Sequence, residues 1–248
     1  MAEAAGSSPA LAKLTPMIAN DTPHADLAGV SVIIPTLNAA FDLGGAVAAC
    51  SGVREILVVD GGSRDGTADV ARAMGARLVH ADAGRGIQMH AGAMRSEGEW
   101  LLFLHADTIL ITNWQNEVER FIADPANLSR AATFRFGLDD PSAEARRLER
   151  WVAWRTRHLG LPYGDQGLLI HRDFYSSLGG FRAWPLMEDV DLVRRIGRRH
   201  LAILDSVART SAERWRRDGW LRRSFRNLTC LTLYLLGMPP HLIARLYG

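Results

Sequence analysis

Between residues 30 and 105 the chain alternates short, almost wholly apolar runs with longer segments of mixed polarity. Val30–Pro35 (VSVIIP), Glu55–Asp60 (EILVVD), Ala76–His80 (ARLVH) and Trp100–His105 (WLLFLH) are rich in branched and aromatic residues and predict strands, the first two buried. Ala39–Cys50, with Asn38 placed to cap it, Asp65–Met74 and Ile87–Ser96 predict the helices between them. The order βαβαβαβ with short connections predicts a mostly parallel sheet with helices on both faces and right-handed crossovers. Ligands of such sheets sit beyond the carboxyl ends of the strands. Those ends carry Thr36, Asp60 and Asp107.

The second half is patterned differently. Ala131–Leu138 and Gly167–Arg172 predict strands, Ser142–His158 a helix bearing Trp151 and Trp154, and Glu188–Arg199 a further helix. Leu201–Leu204 predicts a short strand, and Trp220–Leu236 an amphipathic helix. No linker or internal repeat interrupts residues 29–248, so they predict one α/β domain with a mixed C-terminal half. Residues 1–28, rich in Ala, Ser and Pro, lack a basic start followed by an apolar core. They predict a flexible tail rather than a secretory signal. No run of about 18 apolar residues predicts a spanning helix.

Composition narrows this picture only a little. A chain of 248 residues, 48% hydrophobic, can bury a core without staples. A formal net charge of +2 does not suggest a nucleic-acid binder. Cys50 and Cys230 are too far apart in sequence for a disulfide framework or a metal-binding spacing, which fits a reducing compartment. All basic residues but Lys13 are arginine. That usage follows from a GC-rich genome or from planar, bidentate recognition of phosphate, and bulk counts do not separate the two.

Five short segments carry candidate chemistry. In V58-V59-D60-G61-G62-S63-R64-D65-G66-T67 a carboxylate at a strand end is exposed by a glycine turn, where it can accept hydrogen bonds from a base or ribose. Asp107, in L104-H105-A106-D107-T108, can hold a hard divalent cation. M187-E188-D189-V190-D191-L192 opens a helix with a general base and a neighbour to orient it. Y163-G164-D165-Q166-G167 offers contacts to an acceptor or a phosphate, and A83-G84-R85-G86 an anion site at a helix start. Singly, each also has a structural explanation: an Asp-Gly turn, a cap by Asp107 or Thr112, carboxylates on a helix dipole, or a plain loop.

Their order is more specific than any one of them. I-I-P-T-L-N, V-V-D-G-G-S-R-D-G-T, G-R-G, H-A-D-T, G-D-Q-G, G-G-F and M-E-D-V-D-L, spread from about Val30 to Arg199, resemble family 2 of the glycosyltransferases, with a GT-A fold. The resemblance is strongest to small bacterial members named after carotenoid-ester glycosyltransferases. It implies a nucleotide-binding half (29–110), an acceptor and catalytic half (111–205) and a basic helical region (206–248). It also implies inverting transfer of a sugar from a UDP- or GDP-sugar, with Asp189 as base beside Glu188. Donor contacts would come from Pro35, Thr36, Asn38, Asp60, Gly61, Arg85, Asp107, Asp165 and Gln166. Asp107 would hold Mn²⁺ or Mg²⁺.

Two departures qualify the resemblance. His105 stands where the family's D-x-D has its first Asp; histidine ligates Mn²⁺ but suits Mg²⁺ poorly. The Q-x-x-R-W motif of processive synthases is missing, with Ala212–Trp215 (A-E-R-W) a partial echo, which implies transfer of single sugars. The arginines of the last quarter, followed by the apolar stretch from Leu228, form either a core-packing helix with a solvated face or a surface for an anionic membrane. With a lipid or carotenoid acceptor, the second would put a cytoplasmic protein on the inner face of the cell membrane. A sugar-phosphate nucleotidyltransferase would carry a Gly-rich, basic loop after the first strand, where this chain has P35-T36-L37-N38-A39. A non-catalytic module on the same sheet would not need Asp60, Asp107 and Asp189 together. A dinucleotide dehydrogenase would show G-x-G-x-x-G after the first strand.

Overall fold

The computed structural model describes residues 27–111 and 113–247, so the expected tail lies outside the described residues up to residue 26, as does Thr112. The apolar runs of the first half become β1 (Leu27–Thr36), β2 (Val53–Asp60), β3 (Arg77–His80) and β4 (Trp100–Phe103), which pair in parallel. The other strands are β5 (Thr108–Ile111), β6 (Ala131–Leu138), β7 (Leu168–His171) and β8 (Leu201–Thr210). All eight share one sheet, in the order β3-β2-β1-β4-β7-β6-β8-β5. β7 runs antiparallel to β4 and β6, β6 parallel to β8, and β5 antiparallel to β8. The parallel half and the mixed half are thus continuous through the β4–β7 pair.

The helices are α1 (Ala40–Ala48), α2 (Thr67–Ala73), α3 (Arg85–Arg95), α4 (Trp114–Ile122), α5 (Ala143–Leu159), α6 (Arg172–Ser177), α7 (Glu188–Ile196), α8 (Glu213–Asp218), α9 (Trp220–Leu235) and α10 (Pro240–Tyr247). Side chains alternate across a strand, so each central strand feeds two cores. Val32, Ile34, Val58, Leu102 and Leu104 pack with Leu43 and Val47 of α1 and with Trp114, Val118 and Phe121 of α4. Ile33, Leu57, Val59, Leu101 and Phe103 pack on the other face with Met89 and Ala93 of α3, Tyr175 of α6, and Leu192 and Ile196 of α7. A third cluster joins Phe136 and Leu138 of β6, Val152 of α5 and Trp215 of α8.

Several elements differ from expectation at their ends. α7 stops at Ile196 rather than Arg199 because Gly197 turns the chain with φ 78°, and residues 198–200 form a 3₁₀ turn. β8 runs on to Thr210, across the boundary expected at residue 205, because it pairs with β5 on one side and β6 on the other. β5 and α6 were not expected; both are too short to show a clear period. Asn38 does not cap α1, whose N-cap is Ala39. Its Oδ1 instead accepts the Arg64 N–H at 2.9 Å, across to the next loop. Asp107 caps no helix either, since the N-cap of α4 is Asn113.

The seat of α3 on the sheet depends on Gly92. A Cβ there would stand 2.5 Å from Ile33 Cγ2 and 2.9 Å from Val59 Cγ2. In a helix, Gly→Ala alone gains about 1 kcal/mol, whereas overpacking a core costs about 1–3 kcal/mol. Packing wins because both contacts are with branched side chains on strands. Gly92→Ala is therefore expected to lower stability by about 1–2 kcal/mol in a urea titration; a gain would mean α3 can ride outward freely.

Candidate active site

The carboxyl ends of β1 and β2 are joined by a polar lattice. Asp60 is buried, and its Oδ2 accepts the N–H groups of Gly62 (3.1 Å) and Ser63 (3.0 Å). Its Oδ1 accepts the hydroxyls of Ser63 and, at 3.3 Å, Thr36. Burial pushes this carboxyl up, but the hydrogen bonds from Ser63, Gly62 and Thr36 outweigh it and hold it below the usual range. Asp60 is therefore an ionised group that shapes its own turn. The next loop is pinned to it: the Asn38 N–H donates to Ser63 Oγ (2.8 Å) and the Ala39 N–H to Thr67 Oγ1 (2.8 Å). Buried Gln88 completes the lattice, its Nε2 donating to the carbonyls of Thr36 and Val59, each at 2.7 Å.

Beyond this lattice lies a cavity of about 200 Å³ lined by Arg85, His105, Asp107, Asp165, Glu188 and Asp189, among others. The residues come from five places in the chain: the start of α3, the β4–β5 turn, the 3₁₀ turn at 164–166, the start of α7, and the α8–α9 region. α3 reaches α7 because residue 86 is glycine, where a Cβ would run into the Arg182 carbonyl and stand 3.2 Å from Glu188 Cβ. That approach sets Arg85 Nη1 3.5 Å from Glu188 Oε1.

The acidic start of α7 divides its labour. Asp191 turns away into a structural ion pair, accepting from Arg195 at 2.6 and 2.9 Å while Arg182 lies 3.4 Å off. Asp189 faces the cavity, where its Oδ2 accepts the Gly164 N–H at 2.8 Å and its Oδ1 the Val190 N–H at 2.7 Å. Glu188 is 1% exposed, and its Oε1 makes no hydrogen bond. Burial first, then repulsion from Asp189, raises its carboxyl to about 7 despite Arg85. Met187, just before the pair, holds φ 65°. A non-glycine residue there costs about 1–3 kcal/mol, a strain the surrounding packing must hold.

Two more groups are left without partners. His105 Nε2 is buried with no hydrogen bond, and burial together with Arg85 lowers its imidazole to about 4, against the pull of Asp107 and Asp189. It is a neutral imidazole at neutral pH. Asp165 Oδ1 is likewise buried without a hydrogen bond, and burial raises that carboxyl to about 6, with Arg155 opposing and Asp189 and Asp107 adding. Among the described residues no cluster of three or more His, Cys, Asp or Glu side chains forms a metal cage.

Of the residues expected from sequence, the structure gathers Arg85, His105, Asp107, Asp165, Glu188 and Asp189 in the cavity. Thr36, Asn38, Asp60 and Gly61 lie in or beside the adjoining lattice, with Pro35 next to it in β1, and do not line the cavity. Gln166 does neither: it is buried, donates from Nε2 to the Phe134 carbonyl (3.0 Å) and accepts from Thr156 Oγ1 (3.0 Å). Tyr163, from the Y163–G167 segment, also lines the cavity, whereas sequence reading missed Gln88 and the C-terminal wall of Ser211, Arg214, Trp215, Arg223, Asn227 and Cys230. The A-E-R-W echo was the signal for part of that wall, since Arg214 and Trp215 belong to it.

An α/β sheet whose parallel half is covered on both faces, with an acidic cavity near its strand ends, belongs to the class of open α/β folds that bind ligands there. The chain belongs to glycosyl transferase family 2, whose sequence profile matches residues 31–179. A PGL/p-HBAD biosynthesis glycosyltransferase from Mycobacterium bovis BCG is 36% identical over 127 residues, covering 43% of this chain and 50% of that protein. A Mycobacterium tuberculosis H37Rv protein described in the same words matches equally. The chain thus spans about half the length of the curated relatives it matches. Mannosyl-3-phosphoglycerate synthase from Rubrobacter xylanophilus has a similar GT-A fold, with a TM-score of 0.58 at 20% identity over 87% of this chain and 79% of that one. Glucosyl-3-phosphoglycerate synthase from Mycobacterium tuberculosis, solved with Mn²⁺ and UDP-glucose, gives 0.58 at 18% identity over 85% and 79%.

The raised Glu188 carboxyl has a stability consequence. An unperturbed glutamate titrates at 4.5, this one at about 7. Between those values the folded protein holds a proton that the unfolded chain has released, so stability falls as pH rises through the window. Glu188→Gln removes this loss. Its stability relative to the parent is expected to rise between pH 4.5 and 7 by up to about 3 kcal/mol, measured by urea unfolding at each pH. Parallel curves for the two proteins would contradict the assignment.

Proposed function

We propose that this protein transfers a single sugar from a nucleoside-diphosphate sugar, UDP- or GDP-linked, to an acceptor hydroxyl, with inversion. The observation that carries the reading is Asp189: a carboxylate oriented by the Gly164 N–H, in one cavity with Arg85, His105 and Asp107, at the carboxyl ends of parallel strands. An ionised carboxylate has about four acceptor sites, so Asp189 keeps capacity for a substrate proton after its two backbone bonds. As the acceptor oxygen attacks the anomeric carbon, its proton passes to Asp189. The bond from that carbon to the diphosphate breaks on the opposite face, and the nucleoside diphosphate leaves with the electron pair. Arg85 faces the charge that develops there. The lattice of Thr36, Asn38, Asp60 and Gly61 would seat the nucleoside, next to the cavity it adjoins.

The residues fit a divalent cation at His105 and Asp107. The unpartnered Nε2 of a neutral imidazole and a carboxylate in the same cavity are one nitrogen and one oxygen donor, which favours Mn²⁺ over Mg²⁺. His105 and Asp107 would hold such an ion without closing a cage around it, which would leave room for substrate oxygens. Such a cation would supply charge neutralisation to the leaving diphosphate. The acceptor is a small molecule or lipid whose apolar part would meet Leu186, Met187, Val190 and Trp215. The free thiols of Cys50 and Cys230 support a cytoplasmic setting.

Asp189→Asn is expected to keep donor affinity and lose kcat by about 10²–10⁴, the usual contribution of a positioned base; full turnover would remove Asp189 from that role. Thermal shift with UDP- and GDP-sugars reports donor binding by mass action. In that assay Asp107→Ala is expected to lose the part of the shift that depends on Mn²⁺, while an unchanged Mn²⁺ response would take Asp107 out of the cation site.

A further inference from the structure

Helix α9 has two unlike sides. Arg223, Asn227 and Cys230 line the cavity. The opposite side carries Leu221, Phe225, Leu228, Leu235 and Leu236, of which Leu221, Phe225 and Leu236 are 87%, 74% and 79% exposed. The spacing i, i+4, i+7, i+14 puts them on one stripe. Thr232 interrupts it, but its hydroxyl donates to the Leu228 carbonyl at 2.9 Å. α10 adds Leu242 and Leu246, exposed, while Ile243 is buried. Single exposed leucines are ordinary, but a continuous stripe on one helix marks an interaction surface.

We propose that this outer face of α9, continued by α10, docks on an anionic lipid bilayer. Charge selects that occupant. No Asp or Glu occurs from Gly219 to Tyr247, and Arg222 and Arg245 flank the stripe, exposed and with no carboxylate partner among the described residues. A second copy of the chain would bring the same acid-free face against itself, like charge to like charge. Anionic headgroups neutralise it. The geometry is that of a helix lying in the interface: its 16 residues span about 24 Å, and no described helix is long and apolar enough to cross a membrane. A helix is about 10 Å thick, so docking would bring the bilayer within one helix diameter of Arg223 and the cavity. A lipid-borne hydroxyl would then be within reach of Asp189. This last consequence rests on the sugar-transfer reading; the docking itself does not.

The test is co-sedimentation of the full chain, without donor, with phosphatidylglycerol/phosphatidylcholine vesicles and with phosphatidylcholine alone, at low and high salt. Binding is expected to the anionic vesicles, to weaken at high salt, and to fall at least about tenfold in Leu221→Ser/Phe225→Ser/Leu236→Ser. Each arginine near an anionic surface is worth about fivefold, so Arg222→Glu/Arg245→Glu should lose at least as much. This second variant decides the question if the triple variant does not fold. Absence of binding to anionic vesicles at low salt, or binding that both variants retain, overturns the proposal. Equal, salt-independent binding to both vesicle types overturns its electrostatic half. A dimer in solution that the triple variant disperses, with no vesicle binding, assigns the face to a second copy instead. Sugar transfer is scored separately, so failure of either reading leaves the other standing.

Discussion

A parallel sheet covered by helices on both faces leaves its central strands no solvent side, and this constraint organises the whole molecule. Val32, Ile33 and Ile34 must all be apolar, because successive side chains enter different cores and both cores are dry. Polar chemistry is driven to the ends of the strands. Thr36 and Asp60 end β1 and β2, and the His105–Asp107 turn follows β4. The site is therefore a consequence of the core: Gly92 lets α3 sit close to β1 and β2, and the same helix delivers Gln88 to the strand ends and Arg85 to the cavity.

Within the cavity four carboxyl groups meet three arginines. Asp107, Asp165, Glu188 and Asp189 face a space also lined by Arg85, Arg214 and Arg223, and two of the four carboxyls are pushed up by burial. Buried carboxylates are stable only when paired, hydrogen-bonded or protonated. Asp60 is satisfied by its own turn, Asp191 by Arg195 and Arg182, and Asp189 in part by backbone N–H groups. Glu188 Oε1, Asp165 Oδ1 and His105 Nε2 are not hydrogen-bonded. Such unmet groups cost stability in the empty protein. They are what a site held for a cation and a polar ligand requires.

The C-terminal helices tie this cavity to the surface. α8 anchors the wall through Trp215, packed in the cluster with Phe136 and Val152, and α9 closes it with Arg223 and Asn227. Arg223 is itself held by Asp218 at 2.7 Å. A segment that pattern alone reads as a basic amphipathic appendage is thus part of the cavity wall on one side and an apolar surface on the other.

Much of this was legible in the sequence. The buried runs determined the first four strands and that they would pair in parallel, because a short apolar run between turns, followed by a helix, has few other stable fates. The glycine turn after Asp60 and the acidic start of α7 determined where carboxylates would appear. Local pattern could not say which carboxylate does what. Asp189 and Asp191 are two residues apart on one helix, yet only packing against Arg195 and Arg182 turns one inward to structure and leaves the other to the cavity. Gln166 reads as a ligand contact in the G-D-Q-G motif, but the space between α5 and β6 claims its amide. Gln88 and the α8–α9 wall beyond the A-E-R-W echo were invisible for the same reason. Gln88 reaches the Val59 carbonyl across 29 residues of chain, and Ser211 of the wall donates to the Asp107 carbonyl, contacts that no local spacing encodes and only the tertiary fold creates.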